Sequence, residues 1–218
     1  MPIEFVDPES VKRRLKFDYL KAKNDPAFQA SDSFLFLLSY FHKPVMPKND
    51  LVQEVANHLQ KQYRLRWVMI GLRGDDGNYR YTVHSGMRQD AWDSQRVRVY
   101  KLSDFDIEVS GKYRAGEISK LTRVYLSEDN PLGAQDVSVL NRPVLMGSRR
   151  MFQDETLEAD FINALIMGPD DSLLGWIEYS STTAGRFPVP MVMRSMEVVA
   201  SILAALLTHH SGPQRPGT

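Results

Sequence analysis

The chain contains no cysteine, and this one absence removes disulfides, thiolate zinc sites, cysteine nucleophiles and thioether-linked chromophores together. Net charge is missing too. Lys plus Arg and Asp plus Glu both number 27, so no long-range field draws the chain to nucleic acid or to an anionic membrane. There is no long apolar run: the longest, Val198 to Leu207 with Ser201 inside it, is about half of the ~20 residues a membrane span needs. Met1 to Lys16 lack the apolar core of a signal peptide. These absences predict a soluble cytoplasmic protein with no nucleic-acid partner and no membrane span. Walker, G-x-G-x-x-G, H-E-x-x-H and G-x-S-x-G motifs are all missing, so the chain is read as non-enzymatic, and its residues name no cofactor.

What is present suits a folded domain. With 218 residues, 43% of them apolar and 25% charged, the chain can bury a useful core as one domain with a helical extension. Pro8 to Lys23 reads as a basic amphipathic helix capped by Asp7, with Val11, Leu15, Tyr19 and Ala22 as its apolar stripe. Ser33 to Phe41 reads as a short apolar helix capped by Ser31 or Asp32. Asn49 can cap a third helix, Asp50 to Gln62, whose Val52, Val55, Ala56, Leu59 and Tyr63 share one face.

The periodicity then changes. Leu65 to Leu72 and Tyr79 to His84 flank the turn Gly74-Asp75-Asp76-Gly77-Asn78 and read as a hairpin. Val97, Val99 and Leu102 alternate like a strand, and Asp104 to Leu126 mixes signals. A second hairpin joins Leu157–Met167 to Ser172–Ser180 through Gly168-Pro169-Asp170-Asp171. Val192 to Leu207 reads as a helix whose polar positions, Arg194, Glu197, Ser201 and Thr208, fall on one narrow stripe. So wide an apolar surface needs cover on more than one side, which predicts a homodimer through this C-terminal helix or cover by the N-terminal helices. Antiparallel hairpins with terminal helices define an α+β sandwich: helices on one face of a central antiparallel sheet, and on the other a pocket roofed by the middle segment. We divide the chain into a helical extension (1–48), a domain (49–210) and a disordered tail (211–218).

The candidate ligand-binding residues follow from this layout. Trp67 and Met69 share one strand parity, while Val68, Ile70 and Leu72 share the other. Trp176 and Glu178 alternate with Leu174, Ile177 and Tyr179 only approximately. Apolar pockets are built from aromatic side chains with a few polar tips, which makes Trp67, Tyr79, Tyr81, Tyr113 and Trp176 candidates. Asp104, Arg114 and Arg123 lie in the segment that would form the roof, and of these Asp104 and Arg114 are taken as ligand-facing; the competing reading is a solvated loop with internal ion pairs. His84 is read as structural, and the adjacent His209 and His210 point apart, which disfavours a metal site. Arg142, Arg149 and Arg150 read as exposed charge. Glu158, Asp160 and Glu178 have no nucleophile or metal set to join them in acid–base chemistry.

The first hairpin, LRWVMIGLRGDDGNYRYTVHSG, the segment VYKLSDF, and above all LLGWIEYSSTTAGRFPVPMVMRSMEVVASILAALL resemble GAF domains, the small-molecule sensing fold of many signalling proteins. The likeness spans about Leu51 to Leu207. It implies a six-stranded antiparallel sheet, a ligand pocket on one face, dimerisation through the terminal helices and a signalling partner protein. The reductase cysteines, the chromophore-attachment cysteine and the cyclic-nucleotide motif of that family are absent here. The alternative reading is an assembly subunit whose pocket is vestigial.

Overall fold

In a computed structural model, which describes residues 7–44, 46–105 and 116–210, six strands form one antiparallel sheet. They are β1 (Val68–Arg73), β2 (Tyr79–Ser85), β3 (Gly116–Glu117), β4 (Thr122–Tyr125), β5 (Phe161–Met167) and β6 (Leu173–Tyr179), and they lie in the order β2-β1-β6-β5-β4-β3. Both hairpins read from the sequence are present, and β1 and β6 pair with each other at the centre of the sheet, Ile70 facing Ile177. Central strands are covered on both faces, which is why β1 and β6 carry almost no exposed residue. The sheet does not close into a barrel.

Five α-helices accompany the sheet: α1 (Pro8–Lys21), α2 (Pro26–Leu38), α3 (Lys48–Gln62), α4 (Gln89–Arg96) and α5 (Pro190–His210). Asp7 caps α1 by accepting from the Glu9 and Ser10 amides, with Pro8 in the first turn, as the sequence predicts. The stripe of α1 is exposed, however, and no residue of that helix is buried. The start of α2 differs from expectation. It begins at Pro26, capped by Asp25, which accepts from the Ala27 amide at 2.8 Å; an acid before a proline already supplies cap and first turn, so Ser31 and Asp32 sit inside the helix. Likewise α3 starts at Lys48 behind Pro47, without a side-chain cap. Asn49 lies within it, because the fixed φ of Pro47 precedes the helix directly.

One face of the sheet holds the larger core. Val68, Ile70 and Leu72 of β1 and Ile177 and Tyr179 of β6 pack with Leu51, Val55 and Leu59 of α3, Leu37 of α2, and Met196, Val199, Leu203 and Leu206 of α5. By length and composition alone, α5 is apolar enough to cross a membrane. The shorter apolar run counted in the sequence understates it, because polar residues interrupt the run without opening the apolar face. Here that face is buried against the sheet and α2, so the apolar surplus of α5 finds its cover inside the chain. The stripe read as polar is not solvated throughout: Glu197 is buried, accepting hydrogen bonds from Ser119 and from Thr122 Oγ1 beside it, the latter at 2.7 Å.

Two β-bulges set which residues face which side. Between Ile70 and Gly71 the register with β2 skips Thr82, so Tyr81 joins one face although Val83, two positions on, joins the other. Between Ile166 and Met167 the register with β6 skips Leu174. Leu173 then turns to the face of Trp176 while Leu174 packs on the helical side, which accounts for its irregular place in the alternation.

Candidate functional site

The face away from α2, α3 and α5 carries a second cluster, to which α4 contributes Trp92: Trp67, Met69, Tyr79, Tyr81, Trp92, Leu173 and Trp176. Above it lies a cavity of about 410 Å³. Its floor is the sheet itself. Met69, Glu178 and Asn163 follow one another across β1, β6 and β5 in register, so all three side chains rise from the same row. The walls come from the end of α4 and the chain after it (Gln95 to Phe105), and from residues 132–141 and 158–160.

The sequence predicts a strand at Val97, Val99 and Leu102, and the structure corrects this. Val97 ends α4, Tyr100 makes a single bridge to Tyr79, and Leu102–Phe105 is a 3-10 turn. Val97, Val99 and Leu102 are exposed, so their alternation reflects no sheet face. The bridge nevertheless matters: the paired amides of Tyr79 and Tyr100, at 2.8 and 2.9 Å, cover the edge of β2 and hold this wall on the sheet.

Aromatic rings shape the interior. Trp176 is met edge-on by Tyr81 at 5.0 Å and by Tyr100 at 5.6 Å, with Phe105 tilted against it at 4.8 Å. Tyr125 stacks on Phe161 at 4.5 Å on the far side. The Trp176 indole lies flat over β1 because position 71 is glycine: any Cβ there would run into the indole ring.

Polar groups enter at a few points. Glu178 is buried on the floor, and the Tyr81 hydroxyl donates to its Oε2 at 2.6 Å. Burial pushes the Glu178 carboxyl up to about 7, against weaker opposing effects of Tyr81, the Trp176 N–H and the more distant Arg98 charge. Burial and the neighbouring Glu178 hold the Tyr81 phenol well above its usual range. Among the described residues no cation forms an ion pair with Glu178. Arg98, in the wall, pairs with Asp136 at 3.0 Å. Three further polar atoms on the cavity lining are buried without a hydrogen-bond partner: Gln95 Oε1, Asn163 Oδ1 and Trp176 Nε1, the last approaching Glu178 without well-formed geometry.

Two further acids of the lining are already satisfied. Glu158 receives the Arg142 guanidinium at 2.8 Å, and the buried Asp160 accepts from Arg150 at 2.9 Å and from the Ser127 and Leu157 amides at 2.9 and 2.7 Å. Two of the three arginines read as exposed charge are therefore structural: Arg150 is largely buried and Arg142 half-buried, each drawn in by a buried acid that local sequence does not reveal.

Of the residues expected to bind a ligand, Trp67, Tyr81, Asp104 and Trp176 line the cavity. Asp104 stands exposed at its mouth and accepts from the Lys101 amide at 2.8 Å. Tyr79 is buried behind the lining and spends its hydroxyl on the Leu173 carbonyl at 2.9 Å. Tyr113 and Arg114 lie outside the described residues. Arg123 is tied to the Ser119 carbonyl at 2.6 Å and is not in the lining. The expected set omits Glu178, Asn163, Gln95, Tyr100 and Phe105. Glu178 had a readable signal, since in LGWIEY it shares the parity of Trp176. His84 packs on Trp92 at 4.5 Å, and burial lowers its pKa. Among the described residues no three His, Asp or Glu side chains gather as a metal site.

A six-stranded antiparallel sheet with α2, α3 and α5 on one side and an aromatic cavity on the other is a GAF-like fold. Solved GAF domains share it. That of a phosphoenolpyruvate-protein phosphotransferase from Coxiella burnetii superposes with a TM-score of 0.52 at 15% identity, over 86% of this chain and 95% of the other. The corresponding Acinetobacter domain gives 0.51 at 10% identity, over 84% and 95%. A phycocyanobilin-bound GAF domain from a cyanobacterial phytochrome gives 0.52 at 13% identity, over 83% and 94%. No protein-family model matches the chain, and no curated protein matches it in sequence.

Proposed function

We propose that this chain is a cytoplasmic regulatory module, non-catalytic in itself, whose cavity binds a small organic molecule. Residues 49–210 act as the sensing domain and 1–48 as its extension. The observation that carries the reading is the cavity of about 410 Å³ on the sheet face opposite α2, α3 and α5, with buried polar atoms left without partners inside it. Cavities of this size, apolar with a few convergent polar groups, are built for ligands, and buried polar atoms without partners are costly unless something answers them. That GAF domains of signalling proteins share the fold supports a regulatory role. The two peripheral carboxylates are occupied by arginines, which argues against their use as acid–base catalysts.

The test is native mass spectrometry of gently purified protein, followed by a thermal-shift screen against a metabolite panel. Binding at a hundredfold excess over Kd stabilises by about 2.7 kcal/mol. An Ala159→Phe variant, which adds a bulky ring to the cavity lining, should retain the fold and lose every such shift. If no compound co-purifies or stabilises the protein, or if the shifts survive Ala159→Phe, this function is wrong.

A second reading, an assembly subunit with a vestigial pocket, is favoured by the exposed Val144, Met151 and Phe152 in the arm between β4 and β5. It predicts a co-purifying protein and no ligand. Signalling to a partner protein or a second copy would use apolar residues the chain leaves uncovered, such as Leu15 and Tyr19 of α1. Light scattering of Leu15→Glu beside the parent chain checks whether copies associate there, or through the partly buried Ile202 of α5.

A further inference from the structure

The chemistry of the cavity lining defines what kind of molecule it takes. Two of its three unpartnered buried polar atoms are acceptors, Gln95 Oε1 and Asn163 Oδ1, and the Glu178 carboxyl, met by the Tyr81 hydroxyl, adds a further acceptor group. Asn163 and Glu178 are direct cross-strand neighbours, so their acceptors rise side by side from the floor. Glu178 has one donor, the Tyr81 hydroxyl at 2.6 Å, and no cation in contact among the described residues. The nearest cation of the lining, Arg98, already holds Asp136 at 3.0 Å. Glu158 and Asp160 have their own arginines. Among the described residues, Glu178 is therefore the buried acid of the lining without an ion-pairing arginine, and its donor Tyr81 belongs to an aromatic group with Trp176, Tyr100 and Phe105.

We propose that the cavity selects a compact, flat organic molecule that presents N–H donors, of the amidinium, guanidinium or amino-heterocycle class, to Glu178 and Asn163. This rests on the reading of the cavity as a ligand site and specifies the ligand's charge and polarity. Two physical effects converge on the choice. A carboxylate removed from water gains most from a charge-assisted N–H donor that replaces its lost hydration. Aromatic faces attract a delocalised cation through their quadrupoles and a flat ring through stacking. An anion of the same shape meets the opposite: a buried carboxyl, acceptor oxygens, and an arginine already engaged. Among the described residues, the Trp176 N–H is the one buried donor of the lining without a partner, and it favours an acceptor on the ligand. It is outnumbered, and fits a molecule with one acceptor beside its donors.

Three isosteric probes decide the matter: benzamidinium, benzamide and benzoate, titrated by isothermal calorimetry into the full chain, into Glu178→Gln and into Ala159→Phe. The expected result is binding in the order benzamidinium, benzamide, benzoate. Glu178→Gln should weaken benzamidinium at least about tenfold in Kd while moving benzamide little, and Ala159→Phe should abolish both. Asn163→Leu, which removes the neighbouring acceptor, gives a second and smaller loss that does not depend on Glu178→Gln folding normally. Benzoate equal to or better than benzamidinium, no benzamidinium binding, or benzamidinium indifferent to both Glu178→Gln and Asn163→Leu would overturn the proposal. In those cases an anionic or apolar compound found by the metabolite screen and lost in Ala159→Phe would leave the sensing function standing. Only the absence of any cavity ligand would remove both.

Discussion

Glu178→Gln should make the protein more stable at neutral and alkaline pH and change little in acid. Glu178 is fully enclosed, and burial carries its carboxyl from an ordinary 4.5 to about 7. The folded chain thus holds a proton that the unfolded chain has released throughout that interval, so stability due to this group is complete below 4.5 and is lost as pH rises toward and through 7. The span corresponds to about 3 kcal/mol. Glutamine keeps the size of the side chain and an oxygen to accept from Tyr81, but never ionises. Urea unfolding of both proteins should therefore give the same free energy near pH 4.5, with an advantage to the variant that grows to about 3 kcal/mol by pH 8. His58 and His84, whose pKa values burial lowers, act in the opposite sense, losing stability as pH falls; they are common to both chains and cancel in the difference. A difference that is flat across this range, or a variant less stable at pH 8, would refute the assignment of Glu178 as a buried carboxyl without a countercharge.

Gly71→Ala should displace the Trp176 indole, costing about 1–3 kcal/mol and shifting tryptophan emission; an unchanged spectrum with unchanged stability would show that the indole does not lie over β1. Asp160→Ala strands the Ser127 and Leu157 amides and leaves Arg150 only its second acid, Glu128, and should lower unfolding free energy by about 2 kcal/mol, whereas Arg149→Ala, with no ion pair among the described residues, should cost under about 0.5 kcal/mol. Glu197→Ala removes the acceptor of Ser119 and Thr122 and should cost about 2 kcal/mol at pH 7. Burial opposes ionisation of Glu197, but Ser119, Thr122 and Arg194 together leave its pKa below the ordinary value, so this cost should shrink as pH falls below about 4.5. Denaturant titration at pH 7 and pH 4 reads both changes.

The parts of this fold legible in the sequence are those governed by local period. Trp67 and Met69 against Val68 and Ile70 is a two-residue alternation, and it sorts the two faces of β1 correctly. The same rule fails at Tyr81 and Val83, because Thr82 is an extra residue whose place depends on pairing with β1, distant in the chain. Helix α4 escapes notice for a related reason. Only Ala91, Trp92 and Gln95 of its eight residues are buried, and Arg88 before it supplies no cap, so neither periodicity nor capping marks it. Glu178 shares the parity of Trp176 in the sequence, but that it lacks a countercharge is decided by Arg142 and Arg150, which choose Glu158 and Asp160 instead. Charge pairing across the fold has no one-dimensional trace.

The same alternation that builds the cavity also ties it to the helices. Along β6, Trp176 and Glu178 face the cavity while Ile177 and Tyr179, one residue away on the same backbone, are wholly buried against the helical side. Tyr179 lies near enough to Glu197 of α5 for that charge, after burial, to help hold its phenol protonated, and Glu197 in turn accepts from Thr122 on β4. A close-packed interior does not absorb a displacement of one strand locally, so a ligand that moves Trp176 or ionises Glu178 must repack Ile177 and Tyr179 against α5 or leave β6 unmoved. A ligand shifts that balance only by binding one arrangement better than the other. The discriminating contacts are then those that change with the protonation of Glu178, since an ionised carboxylate and a neutral acid demand different donors at the same point. On the proposed function, a molecule that brings its own N–H donor would stabilise the ionised carboxylate at a pH where the empty site is divided between the two forms, and Ile177 and Tyr179 would be the first side chains on the helical side to meet the change.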